Sequence, residues 1–114
     1  MSRFTETLQV ERGADGFLAI REHRAYPNGV LYNSVLYLQP EDAAALLLGL
    51  QRLRETGEDQ DLPLRDGRMA LSNAERSAMV NLEIFRDDTL PHGGYDVLDL
   101  GPDGLAALVA ALRG

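Results

Sequence analysis

The sequence predicts an α+β fold made of two β-β-β(-β)-α repeats, which form a pseudo-dimer of curved antiparallel sheets with one helix each. The main observation is a segment used twice, at residues 35–46 and 97–108. Each copy has alternating leucines, then a proline beside an acidic residue, then an alanine- and leucine-rich run. Alternation is typical of a strand with one buried face, and the proline and acid suit a first helical turn. The chain therefore passes twice from a strand into a helix.

The first half follows in order from its hydrophobic pattern. Alternation predicts strands over residues 4–12, 17–24 and 30–38, with turns at 13–16 and 25–29 where Gly, Asp, Pro and Asn cluster. In the first strand Phe4, Glu6, Leu8 and Val10 share one side. The third strand is either continuous or broken at Asn33 and Ser34. Helical spacing of apolar residues predicts a helix over residues 40–55.

The second half repeats this order. A short edge strand at residues 62–65 precedes a turn at 66–67, strands at 68–72, 78–86 and 95–100, a turn at 73–76, a loop at 91–94 and a helix at 102–113. The predicted domains are a first repeat at residues 1–56, a linker at 57–61 and a second repeat at 62–114, in one compact domain. Matching Ile20 with Ile84 and Leu36 with Leu98 requires a two-residue deletion in the second loop.

Composition excludes several function classes. The chain has 114 residues, a formal net charge of −7 and no cysteine, so thiolate metal sites and disulfides are absent. The charge opposes simple electrostatic capture of nucleic acid. No apolar run has membrane-spanning length and no signal peptide is recognisable, which makes a cytoplasmic location the expectation. His23 and His92 lack metal-ligand spacing, and no nucleophile–base motif is present. We therefore expect no cofactor, no metal and no enzymatic activity.

A family resemblance rests on the segment Ile20-Arg21-Glu22-His23, the Pro27-Asn28-Gly29 hairpin and the Leu38-Gln39-Pro40-Glu41 helix start. This segment is similar to the core of the positive-cofactor-four transcriptional coactivators, and the likeness covers residues from about 15 to 50. PUR repeats and whirly proteins have a similar unit of strands followed by a helix. The resemblance implies binding of single-stranded DNA or RNA across the sheet by a dimer or an intramolecular pseudo-dimer. Here His23 and Arg24 replace the family's aromatic pair, and the uncharged residues 30–34 replace its basic stretch.

The candidate nucleic-acid-binding residues are the aromatic, polar and basic side chains of the expected sheet faces. Stacking on such side chains is worth about 1–3 kcal/mol per base, and arginines contact phosphates. The alternatives are that the aromatic residues belong to the core and that the arginines form surface ion pairs. The candidates are Phe17, Arg21, His23, Arg24, Tyr32, Asn81, Phe85, Arg68 and Arg86.

An alternative function is an acidic protein-interaction module, either an adaptor or chaperone-like, that keeps the fold without binding nucleic acid. The net charge, the uncharged residues 30–34 and a surplus of leucines in the first helix favour it. Either the two helices pack on each other as well as on the sheets, or a leucine patch is left for a partner, including a second copy in a homodimer.

Overall fold

The computed structural model describes residues 4–73 and 79–113. It confirms the α+β class, with two antiparallel sheets of three and four strands and two α-helices. The first sheet has the order β1-β2-β3 and the second the order β4-β5-β6-β7. A 3₁₀ turn at Pro40–Asp42 leads into α1. The elements are β1 (Thr5–Arg12), β2 (Leu18–Ala25), β3 (Leu31–Leu38), α1 (Ala43–Thr56), β4 (Gln60–Leu64), β5 (Gly67–Asn73), β6 (Val80–Arg86), β7 (Gly94–Leu100) and α2 (Pro102–Arg113).

Three sequence predictions about local structure need comment. β3 is continuous, because Asn33 and Ser34 pair with β2, so the option of a break there is wrong. The predicted linker is partly strand, since Gln60 and Asp61 pair with β5 and begin β4. Of the predicted turn at 73–76, Asn73 ends β5 and residues 74–76 lie outside the described residues.

The β2–β3 pair and the β6–β7 pair have the same register. Ile20 lies opposite Leu36, and Leu82 lies opposite Leu98. The separation in sequence from Ile20 to Leu82 equals the separation from Leu36 to Leu98. Ile84 lies opposite Asp96, so the match of Ile20 with Ile84 would not keep this register.

Each helix packs mainly against the sheet of the other half. α1 contacts β4 and β5, whereas α2 contacts β1, and the two helices also contact each other. Gly49 allows the close approach of α1, since a Cβ there would lie 2.5 Å from Leu62 Cδ1 and 2.7 Å from Leu71 Cδ1. Leucines of α1 and both sheets form one buried cluster, so most of the leucine surplus is used inside the molecule. Leu48, at 45% exposure, is the large apolar side chain of α1 that stays at the surface.

The two sheets meet along β3 and β7, which lie side by side. The loop before β7 contacts the end of β3, through His92 and Tyr37, while Gly101 after β7 contacts Glu6 at the start of β1. β7 therefore runs opposite to β3. This arrangement covers the inner face of each sheet and leaves an outer face on each sheet away from the helices. Within residues 4–73 and 79–113, no helix combines the length and apolar character that crossing a membrane requires.

Candidate functional site

The outer face of the first sheet carries two of the predicted site residues, Arg21 and His23, both exposed. His23 Nδ1 donates to Asn33 Oδ1 at 2.5 Å. Arg21 makes no ion pair with the part of the chain that the structure describes. A shallow groove of ≈ 440 Å³ runs over this face, lined by Thr7, Gln9, Arg21, Glu22, His23, Asn33, Ser34 and Val35. The face offers the guanidinium group of Arg21 among mostly uncharged hydrogen-bonding side chains, with the carboxyl groups of Glu22 and Glu11 nearby.

An aromatic cluster lines a second depression, which shares Arg21 with this groove. His92, from the β6–β7 loop, stacks on Tyr37 at 3.7 Å between ring centroids and meets Phe17 edge-on at 4.8 Å. His92 Nε2 also donates to Asp15 Oδ2 at 2.6 Å, and this hydrogen bond is the main reason that the pKa of Asp15 lies below its ordinary value. Phe17 is half-buried. The rings of Phe17 and Tyr37 are thus used to anchor a loop of the other half.

The outer face of the second sheet carries an exposed apolar patch, defined as Phe85, Tyr95 and Val97. Their side chains are 40%, 53% and 39% exposed, and the Phe85 and Tyr95 rings lie 4.8 Å apart. Tyr95 donates its hydroxyl to Glu83 Oε1 at 2.9 Å, which raises the pKa of Tyr95. Large apolar side chains exposed next to one another are typical of an interaction surface.

Polar side chains border the apolar patch on the same sheet face. Asn81 Nδ2 donates to Asp99 Oδ1 at 2.8 Å. Arg68 forms a bidentate ion pair with Asp61, both side chains being exposed. The guanidinium of Arg68 is therefore already neutralised by a carboxylate. Two predicted site residues, Asn81 and Arg68, thus lie on the expected face but with acidic partners.

Arg24 lies inside the molecule, at 8% exposure, so its predicted position on an accessible face is wrong. Its Nε lies 2.6 Å from Glu22 Oε2, and its Nη1 donates to the Tyr26 hydroxyl at 3.1 Å. The guanidinium carbon also lies 5.0 Å from the centre of the Tyr32 ring. Tyr32, 48% exposed, therefore covers Arg24. Arg24 points inward because it has the same strand parity as the buried Ile20.

Arg86 is likewise buried, at 7% exposure, and its predicted surface position is also wrong. Its guanidinium carbon lies 5.5 Å from the centre of the Phe17 ring. Burial lowers the pKa of Arg86, while the nearby carboxylates of Asp96, Asp42 and Asp66 oppose this shift. Neither buried arginine is placed to reach a phosphate at the surface.

Sequence reasoning missed a pair of carboxyl groups that joins the first sheet to α2. Glu6 accepts hydrogen bonds from the backbone N–H groups of Gly101 (2.8 Å, Oε2) and Gly104 (2.7 Å, Oε1) at the start of α2. Glu22 is 1% exposed; burial and the neighbouring Glu6 carboxyl raise its pKa to about 7, against the opposing effect of Arg24. One signal was available, since Glu6 alternates in register with Leu8 and Val10.

The described residues hold no cluster of three or more His, Asp or Glu side chains arranged to bind a metal ion. Comparison with models of known protein families gives no match to this chain, and comparison with curated proteins gives no significantly similar sequence. The functional interpretation therefore depends on the surfaces themselves.

Proposed function

We propose that the protein is a non-enzymatic interaction module that binds a basic, apolar polypeptide segment on the outer face of its second sheet. The apolar patch of Phe85, Tyr95 and Val97 carries this proposal. Aromatic side chains commonly dominate binding energy in protein interfaces, because they bury large areas with few rotatable bonds. The patch presents two such rings side by side.

Charge specifies the kind of partner. Glu83 and Asp99 lie on the same face as the patch and form no ion pair with the described residues, whereas Asp61 is paired with Arg68; the whole chain carries a net charge of −7. A partner with lysine or arginine beside its apolar residues would be attracted to this face, and an acidic partner would be repelled. This proposal follows the interaction-module alternative from the sequence.

Binding can be tested with a fluorescent peptide that alternates leucine and lysine, and with a twin in which glutamate replaces lysine. We expect the lysine peptide to bind more tightly, and the double variant Phe85→Ser/Tyr95→Ser to weaken it at least about tenfold. Leu31→Ser is the matched control, because Leu31 is 61% exposed but belongs to the other sheet. Equal binding of both peptides, or unchanged binding by the double variant, would contradict the proposal.

We also infer that the two halves are copies of one β-β-β-α unit with exchanged helices. Arg24 and Arg86 are both buried, and they lie near the last residues of β2 and β6, the strands that correspond in this inference. Each lies near a carboxylate on the inner side, Glu22 for Arg24 and Asp42 for Arg86. Leu36 and Leu38 correspond to Leu98 and Leu100, and Pro40 to Pro102, at a constant spacing along the chain.

The exchange of helices can be tested by separating the two halves of the chain. Segments 1–56 and 57–114, expressed separately, each lack the sheet on which their own helix packs. We expect each segment to be largely unfolded alone and the mixture to regain the circular dichroism spectrum of the whole chain. Independent folding of either segment would contradict the exchange.

A second candidate function is single-stranded nucleic-acid binding on the outer face of the first sheet. The specific observation is that Arg21 lacks an ion pair with the described residues. The outward-facing neighbours Thr7, Gln9, His23 and Asn33 carry no carboxylate. Arg21 is free to bind phosphate there. Fluorescence polarisation of a labelled oligothymidylate at low salt tests this function. Arg21→Glu should abolish binding and Arg52→Glu should preserve it, whereas absence of any signal for the wild-type protein refutes it.

A further inference from the structure

A groove between α1 and α2 forms a third surface, on the helical side of the molecule. Its volume is ≈ 260 Å³. Apolar side chains of Leu47, Leu50 and Val109 contribute to its lining, together with four polar side chains. The polar residues are Gln51, Arg54, Glu55 and Arg113.

Arg54 and Arg113 are the basic residues in the last turns of α1 and α2. Neither makes an ion pair or a side-chain hydrogen bond with residues 4–73 or 79–113. By contrast, Arg65 pairs with Glu41 and Arg68 pairs with Asp61. Two guanidinium groups that have no partner among the described residues therefore line one groove in a chain with a net charge of −7.

The acidic residue in the groove does not neutralise these arginines. Glu55 accepts a hydrogen bond from Gln51 Nε2 at 3.1 Å, within α1. The positive ends of Arg54 and Arg113 are thus available for carboxylates from outside. Both arginines lie in the last turn of a helix, where the negative end of the helix dipole attracts them. This attraction leaves most of the guanidinium N–H groups available for hydrogen bonds.

The residues that α1 contributes to the lining form a ridge on which a helical occupant can pack. Leu47, Leu50, Gln51 and Arg54 follow the i, i+3, i+4, i+7 spacing that makes one ridge along a helix. A further helix can lie between this ridge and α2, with its own apolar residues over Leu47 and Val109.

We propose that the groove between α1 and α2 receives an acidic amphipathic helix from a partner protein. Its apolar face packs on the partly exposed Leu47 and Val109, above the buried Leu50, and its carboxylates pair with Arg54 and Arg113. This surface differs in charge and position from the apolar patch of the second sheet, so the molecule can hold two partners of opposite charge. The inference goes beyond the binding proposed for the sheet.

The test uses a fluorescent synthetic peptide of helical periodicity with leucine and alanine on one face and glutamate on the other. A twin peptide carries lysine in place of glutamate. We expect the glutamate peptide to bind the full chain more tightly, and Arg54→Glu/Arg113→Glu to weaken it about tenfold or more. Arg52→Glu is the matched control, because Arg52 is an exposed arginine of α1 that does not line the groove.

Further measurements separate this proposal from its alternatives. The variant Phe85→Ser/Tyr95→Ser should bind the glutamate peptide as the wild type does, and circular dichroism should show that all variants are folded. Equal affinity for the two peptides, no binding of either, or no effect of Arg54→Glu/Arg113→Glu overturns the proposal. So does light scattering that shows a dimer in the wild type and a monomer in Arg54→Glu/Arg113→Glu, because the occupant is then a second copy.

Discussion

Replacing Glu22 by glutamine should change how the stability of this protein depends on pH. Burial and the Glu6 carboxyl raise the pKa of Glu22 from 4.5 to about 7 in the folded chain. The folded state therefore binds a proton that the unfolded state releases at lower pH. Protonated Glu22 contributes its full stabilisation below the unfolded pKa of 4.5, and this contribution is lost as the pH rises through about 7.

The size of the effect follows from the shift in pKa. Each unit corresponds to about 1.4 kcal/mol, so the whole shift is worth on the order of 3 kcal/mol in the free energy of unfolding. This value is an upper value, because Arg24, which lies 2.6 Å from Glu22, can rearrange to stabilise the ionised carboxylate. Glu22→Gln keeps the shape of the side chain but cannot ionise. Relative to the wild type, the variant should therefore gain up to about 3 kcal/mol between acidic and weakly alkaline pH.

The assay is urea unfolding, followed by circular dichroism, of both proteins over a series of pH values. Carboxylates far from Glu22 contribute equally to both curves, so the difference between the curves reports Glu22 together with its interaction with Glu6. Glu11→Gln is the control, since it removes an exposed carboxylate of the same sheet. If the wild-type and Glu22→Gln profiles are parallel, Glu22 is ionised in the folded protein and the reasoning fails.

Three further changes test other contacts. Glu6→Gln should lower the free energy of unfolding by about 1–2 kcal/mol, because a charged acceptor of two backbone N–H groups is lost; an unchanged urea midpoint would refute this. Gly67→Ala should cost about 3 kcal/mol, since its Cβ would lie 1.9 Å from the Phe85 carbonyl oxygen, and differential scanning calorimetry should show the lower Tm. His92→Ala removes the stacking on Tyr37, so amide exchange in the loop between β6 and β7 should accelerate while that of β2 does not. Unaltered exchange in this loop would show that His92 does not anchor it.

The order of strands and helices could be predicted because its causes are local. Alternation of apolar residues specified most strands, and Pro102 with its flanking acid specified the start of α2. The start of β4 was missed because Gln60 and Asp61 have no apolar alternation, and only their pairing with β5 makes them strand.

The candidate site was predictable in part. Strand parity correctly placed Arg21 and His23 on one outer face and Phe85 on the other. The same parity indicated that Arg24 and Arg86 point inward, but ordinary experience with arginine favoured the surface. The apolar patch is formed only when strand pairing brings Tyr95 and Val97 beside Phe85.

The sequence by itself determined most of the strands and helices and which side of each strand is apolar, because these properties depend mainly on neighbours within a few residues. Only the tertiary structure decided that each helix crosses to the opposite sheet, that Glu6 holds the start of α2, and that Glu22 is enclosed with Arg24. Those features depend on groups far apart in the chain, whose burial and charge interactions exist only once the two halves are packed together.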